Sequence, residues 1–257
     1  MEENEKSRFE KKIRSLELEI NRLKQDTENY QRFINSVFSN LNHEIRNPLN
    51  GILGFSEIIS DESVPCKDRQ MYTGLITESS LQLLSIITDV LDISKIYSGN
   101  FHTYSQKFDL NDLMFQLYQN YKPIAEKKSL QLFLENVISN VFVVESDPVV
   151  IERVFKKLID NALKFTKQGW VKFYYKVENK HVDFYVEDTG IGIDENQREM
   201  IFEKFTMQPV SQTRNLGGSG LDLSLCHGLV GLLGGKITLL PPSGQGSVFK
   251  FSIPCSG

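Results

Sequence analysis

The chain has 257 residues, 40% of them hydrophobic and 24% charged, with a formal net charge of −4. That is the size of one large domain or two small ones, with the composition of a soluble globular protein. The balance of charge gives no sign of nucleic-acid binding, and no apolar run reaches membrane-spanning length.

The N-terminus, MEENEKSRFE, does not read as a signal peptide. Cys66, Cys226 and Cys255 lie too far apart for a zinc site or a disulfide framework and suit a reducing cytosol. An apolar heptad runs through the first 41 residues. Phe9, Ile13, Leu16, Ile20, Leu23, Thr27, Tyr30, Ile34, Val37 and Leu41 recur with alternating gaps of four and three. This is the seam of a coiled coil, and a seam needs a partner helix; Thr27 and Tyr30 loosen it. The register continues through Ile45, Pro48, Ile52, Phe55 and Ile59. A turn-like stretch, DESVPCKDR at 61–69, follows. A second helix then carries Tyr72, Ile76, Ser79, Leu83, Ile86, Val90, Ile93 and Tyr97, its face widened by Leu75, Leu84, Ile87 and Leu91. Two antiparallel helices cannot bury such faces alone, so a homodimer with a four-helix bundle is expected.

Ser98-Gly99-Asn100 ends that helix and the pattern changes. A helix is predicted over 109–126, capped by Asp109 or Asn111, with short strands near 130–135 and 141–145. Asp147-Pro148 opens a helix to about 166. VKFYYKV (171–177) and HVDFYVE (181–187) alternate as a hairpin. A helix near 194–203, an irregular stretch to about 218, another helix and strands near 236–240 and 247–253 complete a two-layer α/β sandwich. The expected division is a coiled-coil helix (1–38), a helical hairpin (39–104) and an α/β domain (105–257).

His43 stands on the first helix with Glu44 beside it and Asn47 one turn on, on the same face. A neutral imidazole is a good phosphoryl acceptor, and Glu44 can take the ring proton or hold the opposite nitrogen. Pro48 leaves the Glu44 carbonyl without its helical partner, so a bend beside His43 is expected. His102, His181 and His227 have no such surroundings. Asn161 offers a hard oxygen for Mg²⁺, and Lys164 a point charge for phosphate. Asp188 ends a strand, where a carboxylate can accept from the exocyclic amine of adenine, and Gly190 and Gly192 allow a tight turn against the base.

HEIRNPL at 43–49, NALKFT at 161–166 and DTGIG at 188–192 together resemble the sensor histidine kinases of two-component signalling. The resemblance runs from about residue 35 to the C-terminus. It implies a dimerisation and phosphotransfer hairpin followed by a GHKL-type ATP-binding domain using ATP and Mg²⁺. His43 would be autophosphorylated and would pass the group to an aspartate of a response-regulator receiver domain, with Asn47 helping a water to dephosphorylate that regulator. IFEKF at 201–205 resembles a lid hinge carrying Phe202 and Phe205, and the lid itself, TMQPVSQTRNL, is polar and irregular. Its Arg214 reads as a solvated residue. LGGSGLDLSL at 216–225 resembles the glycine motif beneath the triphosphate, with Gly218 and Gly220 in place. Ser247 matches a position supporting the adenine-side wall.

Two residues depart from the family pattern: Asp222 stands where a glycine is usual, and Lys157 where an asparagine is usual. They leave Asn161 as the main metal ligand. They also support a rival reading, a weak or inactive dimeric scaffold or a phosphatase-biased member. Another ATPase of the same pocket type would explain only the C-terminal half. No sensor or receiver domain is visible in the sequence, which fits a cytoplasmic chain or the cytosolic part of a longer sensor.

Overall fold

The computed structural model describes residues 2–61, 63–135, 141–178, 180–194, 221–242 and 244–255; within the first helix, side chains are described from residue 12, except 15, 26 and 29–40. That helix, α1, runs from Glu2 to Ser60 as one element, and the helix assignment continues through Pro48. At 59 residues it is about 90 Å long. Ile13, Leu16, Ile20 and Leu23 of the heptad lie open to solvent.

The turn is shorter than the sequence pattern implies. It is closed by Arg69, whose guanidinium donates to the Asp61 carbonyl at 2.8 Å and the Val64 carbonyl at 3.0 Å. Helix α2 starts at Cys66 behind Pro65, with no side-chain cap, and ends at Tyr97. It packs antiparallel on α1: Phe55 stacks on Tyr72 at 5.8 Å, and a Cβ on Gly51 would sit 3.0 Å from the Ser79 hydroxyl. Contrary to the sequence reading, α2 is long and apolar enough for a membrane span, with an 18-residue window of mean hydropathy 1.2. Its Asp89 and Asp92 nonetheless turn inward, each at less than a tenth exposure.

The second part is built on a five-stranded sheet. After β1 (Gln106–Asp109) come α3 (Leu110–Lys127), β2 (Gln131–Glu135), β3 (Val143–Ser146), α4 (Pro148–Phe165), β4 (Trp170–Glu178), β5 (His181–Asp188), α5 (Leu221–Leu232), β6 (Lys236–Leu240) and β7 (Ser247–Pro254). The sheet order is β2-β4-β5-β7-β6, with β2 parallel to β4 and the other pairs antiparallel. The short strand β1, absent from the sequence-based expectation, pairs with β3 as a separate ribbon.

Local chemistry sets the helix starts. Asp109 caps α3 by accepting from the Asn111 N–H, and the same oxygen takes the Phe142 N–H, tying the helix to the segment before β3. Asp147 accepts from the N–H groups of Val149 and Val150, with Pro148 in the first turn of α4. The apolar stripe of α4 (Ile151, Val154, Phe155, Leu158, Ile159, Ala162) is buried on the sheet. Phe155 is the hub: its ring lies 5.9 Å from Phe173, 5.5 Å from Phe184 and 5.2 Å from Phe251. Tyr174 and Tyr185 stack at 4.7 Å on the other face of the sheet. The architecture is therefore a helical hairpin followed by an α/β sandwich.

Candidate active site

On α1, Leu41 and Pro48 are buried and Ile45 half-buried, whereas His43 and Asn47 are exposed. The inward stripe thus fixes the outward one, and the imidazole and the amide one turn later face the same way. Glu44, between the stripes, is half-buried.

The second cluster forms where β5, β7 and the end of α4 meet. Antiparallel pairing sets Asp188, the last residue of β5, opposite Ser247, the first of β7. Both are buried. The Gly190 N–H donates to Asp188 Oδ1 at 2.8 Å. Burial pushes the Asp188 carboxyl above its usual range, and the N–H groups of Gly190 and Ser247 and the Ser247 hydroxyl offset part of that rise. The turn after Asp188 is anchored to α4, since the Ile191 N–H donates to the Phe165 carbonyl at 3.3 Å. A Cβ on Gly190 would come within 2.5 Å of that carbonyl, and Gly192 adopts a φ of +73°.

Asp188, Gly190, Gly192 and Ser247 are therefore brought together. Asn161, half-buried, and Lys164, exposed with its ammonium 5.4 Å from the Phe165 ring, lie on the last turns of α4 that carry this anchor. Gly218, Gly220, Arg214, Phe202 and Phe205 lie outside the described residues, as does the expected helix 194–203 beyond Asp194.

Two features escaped the sequence reading. Gly246, at φ +119°, brings its backbone against the Asp188 carbonyl so closely that a Cβ would overlap it. Its signal was a glycine just before a strand, in the same GQGS run as Ser247. Thr166, buried at the C-cap of α4, has no hydrogen-bond partner for its hydroxyl among the described residues.

The two departures from the family pattern meet each other. The Lys157 ammonium lies 3.0 Å from Asp222 Oδ1. Lys157 also pairs with Asp89 of α2, and Arg153, one turn earlier, pairs with Asp92. Burial works to lower the Lys157 pKa, but the carboxylates of Asp222 and Asp89 outweigh it and hold the group charged.

Residues 33–99 match the His Kinase A (phospho-acceptor) domain. Residues 146–257 match the histidine kinase-, DNA gyrase B- and HSP90-like ATPase. The autoinducer 2 sensor kinase/phosphatase LuxQ of Vibrio parahaemolyticus is 34% identical over 220 residues, 83% of this chain and 26% of its own length. Among solved structures, full-length ShkA in complex with AMPPNP gives a TM-score of 0.64 at 27% identity, covering 85% of this chain and 45% of that one. ThkA in complex with the response regulator protein TrrA gives 0.60 at 26% identity, covering 85% and 61%. The chain spans 26% of the length of the curated relatives such as LuxQ, so it corresponds to one part of them. A phosphoacceptor hairpin followed by an ATPase domain of this type, each matched over its own stretch of the sequence, makes the chain a member of the sensor histidine kinases, of which it is the catalytic core.

Proposed function

We propose that the chain transfers the γ-phosphoryl group of ATP to His43 and passes it to an aspartate of a response-regulator receiver domain, acting as a homodimer. One observation carries the reading: a single chain holds an exposed histidine on a phosphoacceptor helix and a buried Asp188 carboxyl held by Gly190 beside Ser247, the polar group that recognition of adenine needs.

The residues fit the nucleotide. The Asp188 carboxylate can accept from an exocyclic amine, and the glycines let the backbone close around it. ATP supplies the phosphoryl group. Asn161 is the residue to hold Mg²⁺, and Lys164 adds positive charge near the phosphates. Gly218 and Gly220 complete the phosphate side in this reading. His43 forms the new N–P bond as the bond to the β–γ bridging oxygen breaks, and its ring proton passes to Glu44. Asn47 shares the exposed face with His43, and in this reading it orients a water that hydrolyses the phosphoaspartate of the regulator.

The homodimer is supported by large side chains left open on the hairpin, among them Leu53, Leu84, Ile87 and Leu91. The ThkA structure contains a response regulator, which supports the same class of partner here. We place the chain on the cytoplasmic side, where ATP and response regulators are found.

A second reading is favoured by Lys157, whose charge is already shared between Asp89 and Asp222. Under it the chain is a slow kinase biased toward dephosphorylation.

Incubation with γ-labelled ATP and Mg²⁺ tests the first reading. Acid-labile label on the wild type and none on His43→Gln is the expected result. Label retained by His43→Gln would overturn it, and a wild type without label that still dephosphorylates a regulator would favour the second.

A further inference from the structure

An ionic contact joins the two parts of the chain at the edge of the nucleotide pocket. On α2, Asp89 and Asp92 lie in line with the buried Ile86 and Ile93, so they belong to the face covered by the catalytic domain. On α4, Arg153 and Lys157 stand one turn apart and meet them rung by rung, Arg153 with Asp92 and Lys157 with Asp89. Arg153 also lies 4.0 Å from Asp89. One turn further along α2, Gly228 of α5 rests on Ile96, where an added Cβ would be 3.0 Å from its nearest methyl. The same α4 face continues one turn on to Asn161.

We propose that Asp89 and Asp92 form an electrostatic latch that holds the catalytic domain against α2, and that nucleotide phosphate competes with Asp89 for Lys157. The proposal rests on the nucleotide reading of the pocket. Lys157 is the shared element: it binds Asp222 within the catalytic domain and Asp89 across the boundary. A triphosphate near Asn161 brings a stronger anion to the same ammonium. Asp89 then loses its main cation, and the Arg153–Asp92 pair is left to hold the domain alone until it too parts on opening. The released carboxylates return to water, so opening strands no buried charge. Binding linkage is reciprocal: if nucleotide weakens docking, docking weakens nucleotide binding by the same factor. The latch therefore sets a docked, low-affinity state and a released, high-affinity state of one chain.

Two variants of the full chain test this with AMPPNP and Mg²⁺ in a calorimetric titration. Asp89→Asn lies on α2, outside the pocket, and keeps the size of the side chain. It should bind AMPPNP roughly fivefold more tightly, within the usual range of coupling between sites. The second variant forces docking. The Gly228 Cβ position lies 3.9 Å from the Ile96 Cβ, a spacing a disulfide spans. With Cys66 and Cys255 changed to serine, oxidised Ile96→Cys/Gly228→Cys should bind roughly fivefold more weakly than its reduced form. Unchanged or weaker binding by Asp89→Asn overturns the latch, as does equal affinity of the oxidised and reduced forms. A wild type that binds no AMPPNP overturns the nucleotide reading and the latch with it, whereas a wild type that binds with Asp89→Asn unaltered overturns the latch alone.

Discussion

In the hairpin the side chains proposed to react are the exposed ones: His43 and Asn47 face outward from the stripe of Leu41, Ile45 and Pro48. In the catalytic domain the corresponding residues are buried with the core, Asp188 and Ser247 each at 7% exposure. The Asp188 socket is completed by the pairing of β5 with β7 and the anchor to α4, so folding one chain builds it. The hairpin keeps an apolar face open, for the second copy proposed above, and carries the catalytic domain on Asp89 and Asp92. A socket of the first kind is preorganised, and a surface of the second kind can be regulated.

The sharpest way to break this comparison is Phe155→Ala. Phe155 joins α4 to three phenylalanines of the sheet, and its truncation should cost about 3–5 kcal/mol. Thermal unfolding should show the catalytic domain melting early while helical signal from the hairpin persists; a single transition with both parts lost together would show that they do not fold independently.

Gly246→Ala comes next. Its Cβ would overlap the Asp188 carbonyl at φ +119°, so nucleotide affinity should fall at least about tenfold through strain at the socket. Equal affinity of wild type and variant, by titration with AMPPNP, would remove this wall from the site.

Ile87→Glu with Leu91→Glu probes the hairpin face, where these residues are 44% and 54% exposed in the single chain. If the dimer covers them, two lost apolar contacts should raise its dissociation constant by tenfold or more, as about 1.5–3 kcal/mol per buried side chain implies. Light scattering that still reports a full dimer would move the interface elsewhere.

The smallest effect concerns pH. Burial raises the Asp188 carboxyl above 3.8, partly offset by hydrogen bonds from Gly190 and Ser247. The folded state therefore binds this proton more tightly than the unfolded chain. The resulting stability is full below 3.8 and is lost as pH rises through the elevated value. Asp188→Asn abolishes that loss, so the nucleotide-free variant should melt above wild type near neutrality and close to it in acid. A melting difference that does not vary with pH would contradict the assignment.

Much of this was legible because the signals were local. Asp147-Pro148 announced α4 through cap chemistry that spans four residues, and the alternation of 171–177 and 181–187 announced a hairpin whose strands are adjacent in the chain. HEIRNPL and DTGIG carried their chemistry in contiguous residues. Less legible were features that depend on distant partners. Strand β1 is four residues long and pairs with β3 across α3 and β2, so nothing in Gln106–Asp109 alone marks it. The start of α2 was placed late because Pro65 offers no side-chain cap. Nothing in the pattern of the second helix singles out Asp89 and Asp92, and only the arrival of Arg153 and Lys157 shows why two acids occupy a buried stripe.

The pairing of Lys157 with Asp222 also constrains how such a pocket can change over evolutionary time. An aspartate at 222 arising first would face the phosphate side with no neighbouring ammonium to neutralise it. A lysine at 157 arising first would still find Asp89 within reach and would remain compatible with phosphate. The two positions are thus coupled through one ion pair, and loss of Lys157 alone would take from Asp222 the ammonium that balances it.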